Sequence, residues 1–172
     1  VCGDCIKAHE VGRDIVDELY EVPITELADI TISSQGGYPK DIDVCQTGKG
    51  IYHTQAATKP GGWIIILSDC IEGIGPPDAN RIFLELDSNE ERHRDVCKLF
   101  TVAKYVSYYM CTAAEKWNII IVGNVDPALL AKTSIRTAKT VGEALEYAFS
   151  KGGRNQKIYL MPQGSSTLPK LK

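Results

Sequence analysis

The stretch Asp29-Ile30-Thr31-Ile32-Ser33-Ser34-Gln35-Gly36-Gly37-Tyr38-Pro39-Lys40-Asp41 decides the fold. Asp29 to Ser33 reads as a strand. Two glycines and a proline then break it, and Asp41 is placed to cap a helix that starts at Ile42 and runs to about Thr58. Strand, sharp break and helix make one unit of an α/β protein. Gly48 and Gly50 weaken that helix, but they also let a ligand or another backbone come close.

The same alternation extends in both directions. Upstream, Ile6, Val11, Ile15, Val16 and Leu19 recur at helical spacing, Asp4 is the cap, and Pro23 ends the element. Downstream, Pro60-Gly61-Gly62 turns the chain into Trp63-Ile64-Ile65-Ile66-Leu67. An apolar run of this kind is a strand buried on both faces, as parallel strands are. Asn118 to Val122 and Lys157 to Met161 are the third and fourth strands. Helical patterns lie between them over 78–86, 102–117 and 140–150, the last with Thr140 and Glu143 at capping-box spacing. Asp126-Pro127 starts a shorter helix. The mixed-charge run Ser88 to Asp95 reads as a solvated turn and helix face. The pattern predicts one α/β domain over 1–172, a three-layer Rossmann-like sandwich with a mainly parallel central sheet. Residues 162–172 read as a loose polar tail. The chain opens on Val-Cys-Gly-Asp without a Met, like the end of a strand whose beginning is missing, so a fragment of a longer protein is expected.

Composition narrows the function classes. With 172 residues, 44% hydrophobic and 24% charged, the chain can bury a sizeable core. A net charge of -3 gives no electrostatic reason to expect nucleic acid or an anionic membrane surface. No apolar run approaches the ~20 residues of a membrane span. Six cysteines are too sparse for a disulfide scaffold and read as free thiols in a reducing cytoplasm. Cys2 and Cys5 form a Cys-x-x-Cys at a strand-to-helix junction, which leaves thiol redox or metal chemistry open. No second ligand pair follows, so a zinc site lacks its partners.

Gln46, Lys49 and His53 fall at i, i+3 and i+7 on one helical face. An amide, an ammonium and an imidazole near a helix N-terminus suit a small anion such as a carboxylate. A solvated polar stripe gives the same spacing. The loops after Ser33 and Leu67 leave equivalent strand ends, and would face one crevice if those strands are neighbours. Gly73-x-Gly75 is not a dinucleotide fingerprint, because Asp78 stands where the third glycine belongs. His9 and His93 have no partner at ligand spacing.

The run Ile32 to Asp41 followed by Gln46-x-x-Lys49-Gly50 resembles the carboxy-terminal domain of the nickel-pincer lactate racemase family. Gly3-Asp4 with Ala8-His9, Lys59-Pro60-Gly61-Gly62 and Cys70-x-Glu72-Gly73-x-Gly75 match in the same order and carry the resemblance over most of the chain. The resemblance implies a cytoplasmic enzyme of two α/β domains with its active site between them. There a hydride would pass from the substrate's α-carbon to a nickel-bound pyridinium and return to either face. The cofactor lysine, the nickel-ligating histidine and the acid/base histidines would belong to the amino-terminal domain. This chain would hold no catalytic residue, no metal and no cofactor of its own. It would supply Gln46 and Lys49 to orient the substrate carboxylate, with Gly36 and Gly37 lining the cleft. Tyr105 matches the aromatic residue on the later helix, where tryptophan is typical. Cys45 stands next to the glutamine, near the cofactor, where tyrosine is common. With those departures, another 2-hydroxy acid or an epimerase reaction stands beside lactate. A non-catalytic anion-binding module and a Cys2/Cys5 thiol protein are the competing readings.

Overall fold

The computed structural model describes residues 1–172. Helix α1 (Cys5–Tyr20) leads through β1 (Glu21–Ile24) to β2 (Ala28–Ser34), α2 (Val44–Thr54) and β3 (Thr58–Leu67). Three helices follow: α3 (Pro77–Leu84), α4 (Asn89–Lys98) and α5 (Val102–Lys116). The chain then forms β4 (Asn118–Val122), β5 (Arg136–Ala138), α6 (Val141–Gly152), β6 (Ile158–Met161) and β7 (Leu168–Leu171). Short 3-10 turns occupy Pro127–Leu130 and Gly164–Ser166.

The main sheet has the order β5-β4-β3-β2-β6, and every pairing is parallel. All four expected strands are in it. Alternation within each strand divides the core. Ile64, Ile66, Ile119 and Ile121 point to the side of α2, α3 and α5 and join a cluster with Phe83 and Met110. Ile30, Ile65, Ile120 and Val122 point to the other side, against Ala144 and Ala148 of α6. The apolar runs of β3 and β4 are continuous because both faces are covered. β2 departs from this on the α2 side, where it carries Thr31 and Ser33, both buried. Small polar side chains there let α2 lie close: an added Cβ on Gly50 would meet Ile66 Cδ1 at 2.6 Å.

Strand order reverses between β2 and β6, so the topological switch point lies between the loop after Ser34 and the segment after Met161. This puts the glycine-rich loop at the crevice where such folds bind ligands.

Three expectations change. A fifth strand, β5, is present; three residues on a sheet edge are too short for a periodic signal. Residues 168–171 are not a loose tail, because β7 pairs in parallel with β1, Glu21 opposite Leu168 and Ile24 opposite Leu171. Lys170 also bonds the Glu21 carboxylate at 2.7 Å. The charged run 88–95 is only partly a solvated face. Ser88 and Glu91 form a capping box as solvated residues do, but Arg92 of α4 is buried.

Candidate functional site

The site grows from the end of β2. Gln35 N–H donates to the Leu67 carbonyl and extends the pairing with β3 by one step. Gly36 and Gly37 then take φ values of +94° and +81°, a region costly for any residue with a Cβ, and turn the chain outward. Gln35 itself turns inward. It is 1% exposed, and its Nε2 donates to the Gln46 carbonyl of α2 at 2.7 Å. Ser165 Oγ donates to the Gln35 carbonyl from the far side of the crevice. Gln35 therefore ties β2, α2 and the 164–166 turn together, a role the sequence did not disclose. A Cβ added to Gly50 would sit 2.3 Å from Gln35 Oε1. Gly50→Ala is expected to cost about 1–3 kcal/mol through overpacking. Chemical denaturation reads this directly, and an unchanged midpoint would show that Gln35 is free to move.

The N-terminus of α2 is closed. Its cap is Asp43, two residues after the expected Asp41, and Asp43 Oδ1 accepts from Gln46 N–H at 2.6 Å. Val44 N–H and Cys45 N–H donate to the carbonyls of Gly73 and Ile74, and Thr47 N–H to that of Asp43. The three amides of the first turn, those of Val44, Cys45 and Gln46, all have protein partners, and Thr47 N–H makes the first regular helix bond. Those amides are therefore not free to hold an anion. The loops after β2 and β3 do belong to neighbouring strands, but Cys70 N–H and Glu72 N–H bond Asp41 and Ile42 and stitch the loops together. Gly75, at φ +109°, packs on the Asp43 carboxylate where a Cβ would be 2.7 Å from its Cγ.

What remains for an anion is side chains. Lys49 Nζ donates to Gln46 Oε1 at 2.6 Å. That bond fixes the Gln46 side-chain amide through its oxygen and leaves its Nε2 hydrogens to donate elsewhere. It leaves two ammonium hydrogens on Lys49, which is exposed and has no carboxylate partner. Donors of two residues are thus held side by side, and no acid neutralises them. Lys40 Nζ is 3.3 Å from Ser166 Oγ and likewise lacks a carboxylate.

His53 is not brought to this pair. Its ring lines a separate cavity of about 240 Å³ with Val16, Tyr20, Ser165, Ser166 and Leu168. Burial holds its imidazole below the ordinary value, partly opposed by the backbone of Thr167 and Gly164. The unfolded chain therefore takes up this proton more readily than the folded one. Stability from the neutral ring is complete above about pH 6.5 and is lost as pH falls from there through the lower folded value. We expect the melting temperature to drop from pH 7 to pH 5, and to drop less in His53→Gln. Equal drops in the two proteins would reject this assignment.

Cys45 is buried under α5 with its thiol against the Ala103 carbonyl at 3.9 Å, and burial, followed by the Asp43 charge, pushes it up. Gly48 lies against Val106 and Met110, so α2 and α5 run side by side. Tyr52 of α2 meets Tyr109 of α5 at 5.7 Å between ring centroids, and burial pushes the Tyr109 hydroxyl up to about 12. Tyr105 is one turn earlier on the same side of α5, half exposed, with its ring 6.1 Å from Phe100.

Cys2 and Cys5 are free and exposed at the start of α1. No three His, Cys, Asp or Glu side chains gather as a metal donor set. No helix is long and apolar enough to cross a membrane. Replacing Cys2 and Cys5 together by Ser in the full-length parent is expected to leave activity within a few-fold. Loss of turnover with the fold intact would favour thiol chemistry.

With this geometry in hand, residues 24–168 match the lactate racemase C-terminal domain family. The chain belongs to that family. It is 31% identical over 173 residues to the lactate racemase of Lactiplantibacillus plantarum and 32% over 178 residues to that of Thermoanaerobacterium thermosaccharolyticum. These alignments take in 98% and 99% of the chain but 41% of each relative, so the chain spans about two fifths of their length. The apoprotein structure of the Thermoanaerobacterium lactate racemase superposes with a TM-score of 0.84 at 29% identity, over 95% of this chain and 40% of that one. A Thermotoga maritima protein, 16% identical, shares the fold with a TM-score of 0.63 over 97% of this chain and 42% of its own.

Proposed function

We propose that this chain is the substrate-side domain of a two-domain 2-hydroxyacid racemase or epimerase of the lactate racemase type, with Gln46 and Lys49 holding the substrate carboxylate. The Lys49–Gln46 bond carries the reading. It aligns two uncharged-amide hydrogens and two ammonium hydrogens on one side of α2 without a competing carboxylate. A carboxylate accepts a charge-assisted bond from Lys49 and a second from the Gln46 amide. Anchored there, the α-carbon of a 2-hydroxy acid faces away from α2, toward the open side of the crevice. Gly36 and Gly37 keep that side free of side chains, and Tyr105 borders it. Cys45 would act through packing and not by contact.

The family resemblance implies a nickel-pincer nucleotide in the parent protein, which when bound would accept and return a hydride. The side chains of this chain do not form a donor set for a metal. That group would be held by the amino-terminal domain, and the chemistry at the α-carbon would belong there. Steady-state kinetics of Gln46 and Lys49 variants in the full-length parent test the proposal. A rise in KM with the fold preserved supports it; wild-type kinetics in both variants overturn it.

A further inference from the structure

The Lys59-Pro60-Gly61-Gly62 turn takes no part in the Gln46–Lys49 pair. It forms one wall of a separate cleft of about 780 Å³, which Asn118, Arg136 and the 151–156 segment complete. Asn118 and Arg136 are the first residues of β4 and β5, and Lys151 is in the last turn of α6. All strands of this sheet are parallel, so the cleft lies at their amino ends, across the sheet from Gly36 and Gln46. The turn is held in place. Gly61 takes φ +78°, and Asn118 Nδ2 donates to its carbonyl at 2.7 Å. Gly62 packs so closely on β2 that an added Cβ would sit 2.7 Å from the Asp29 carbonyl.

Two cations converge in this cleft. The Arg136 guanidinium carbon lies 4.7 Å from the Tyr147 ring centroid, and Lys151 Nζ lies 5.5 Å from the same centroid. One ring thus holds both charges close together, and Trp63, edge-on to Tyr147 at 5.6 Å, backs that ring. The other ion pair in the cleft is neutral, since Lys59 bonds Asp29 at 2.7 Å. Arg136 and Lys151 have no carboxylate partner. The carboxyl end of α6 offsets only about half a charge. A chain of net charge -3 therefore keeps a concave polar cleft with excess positive charge at one point. Like charges gathered in a concavity raise the local potential and favour an anion. We propose that this cleft is a second anion site, in which Arg136 and Lys151 grip the phosphate group of a small polar molecule. A planar guanidinium fork and a compact ammonium suit the several oxygens of a phosphate, and Asn155 adds an exposed amide. Few apolar side chains line the cleft, so it fits a small polar body and not an acyl chain.

Isothermal titration of the full-length protein with inorganic phosphate and with glycerol 3-phosphate, at constant ionic strength, tests this. Binding of either supports the proposal, and the tighter of the two tells free phosphate from a phosphate ester. The double variant Arg136→Gln, Lys151→Gln is expected to bind at least tenfold more weakly with unchanged circular dichroism. Lys49→Ala is expected to bind as the wild type does, which separates this cleft from the carboxylate-holding pair. Binding of neither probe, equal binding in the double variant, or loss of binding in Lys49→Ala overturns the proposal. A second measurement needs no substitution. Phosphate is expected to slow acetylation of Lys151 by acetic anhydride several-fold, as mapped by mass spectrometry, while Lys98, exposed at the end of α4, reacts unchanged. Equal rates at Lys151 with and without phosphate would also overturn it.

Discussion

With Gln46 and Lys49 in the proposed carboxylate-holding role, Lys49→Ala in the full-length protein is expected to raise the KM for a 2-hydroxy acid about tenfold to a hundredfold. The charge-assisted bond lost contributes about 1.5–3 kcal/mol, and each ~1.4 kcal/mol is tenfold in affinity. The change also releases the Gln46 amide, since Lys49 is the donor that fixes it. Gln46→Ala alone should cost less, because a neutral amide contributes only about 0.5–1.5 kcal/mol. Lys49→Arg should recover part of the affinity: it keeps the charge, but its planar fork is not the compact ammonium that fits Gln46 Oε1. Lys49 is exposed and its change touches no core atom, so thermal stability should stay within about 0.5 kcal/mol. Kinetics and a melting curve on the same sample decide it. A lower kcat at unchanged KM would move Lys49 from binding to the chemical step.

Arg92→Met is expected to destabilise the domain by about 3–5 kcal/mol, because hydrogen bonds from a charged group contribute about 1.5–3 kcal/mol each and several are lost together. Arg92 is 3% exposed, and its guanidinium faces carbonyls, not a carboxylate. Nε donates to Ile82 O at 3.0 Å, Nη2 to Leu86 O and Lys132 O at 2.7 Å each, and Nη1 to Asn89 Oδ1 at 3.0 Å. One side chain therefore joins the end of α3, the first turn of α4 and the segment leading to β5. Methionine fills much of the volume but withdraws the donors from the buried bond to Ile82 O and the part-buried bonds to Leu86 O and Lys132 O, and a buried acceptor left unmet costs about 1–3 kcal/mol. Against a typical domain stability of about 5–15 kcal/mol, such a loss is large. Urea denaturation measures it. A change under about 1 kcal/mol would mean that water replaces the guanidinium, against its near-complete burial. Arg92→Lys should retain only a fraction, since one ammonium cannot reach carbonyls on three sides.

Much of the fold was legible because parallel strands covered on both faces leave continuous apolar runs. Trp63 to Leu67 and Asn118 to Val122 are such runs, and they pair in register with one another. Caps were legible too, since a cap is a side chain at fixed offset: Asp4, Thr140 and Asp126 all accept the expected amides. Asp41 and Asp43 were not separable on that ground, as both precede the helix. What chose Asp43 was the 73–75 loop, whose carbonyls take the next two amides.

By itself, then, the sequence determined the parallel α/β architecture, the glycine break at Gly36-Gly37 and the i, i+3 spacing of Gln46 and Lys49. These are properties of backbone period and residue type, readable within a few turns of chain. Tertiary structure alone decided the rest. It sealed the α2 N-terminus with a loop from another strand, buried Gln35 and Arg92, sent His53 to a different cavity and paired β7 with β1. Gln35 and Arg92 bond main-chain carbonyls, which every residue carries, so no side-chain pattern announces them. β1 and β7 lie nearly the whole chain apart, and their pairing exists only once the sheet has placed both ends side by side.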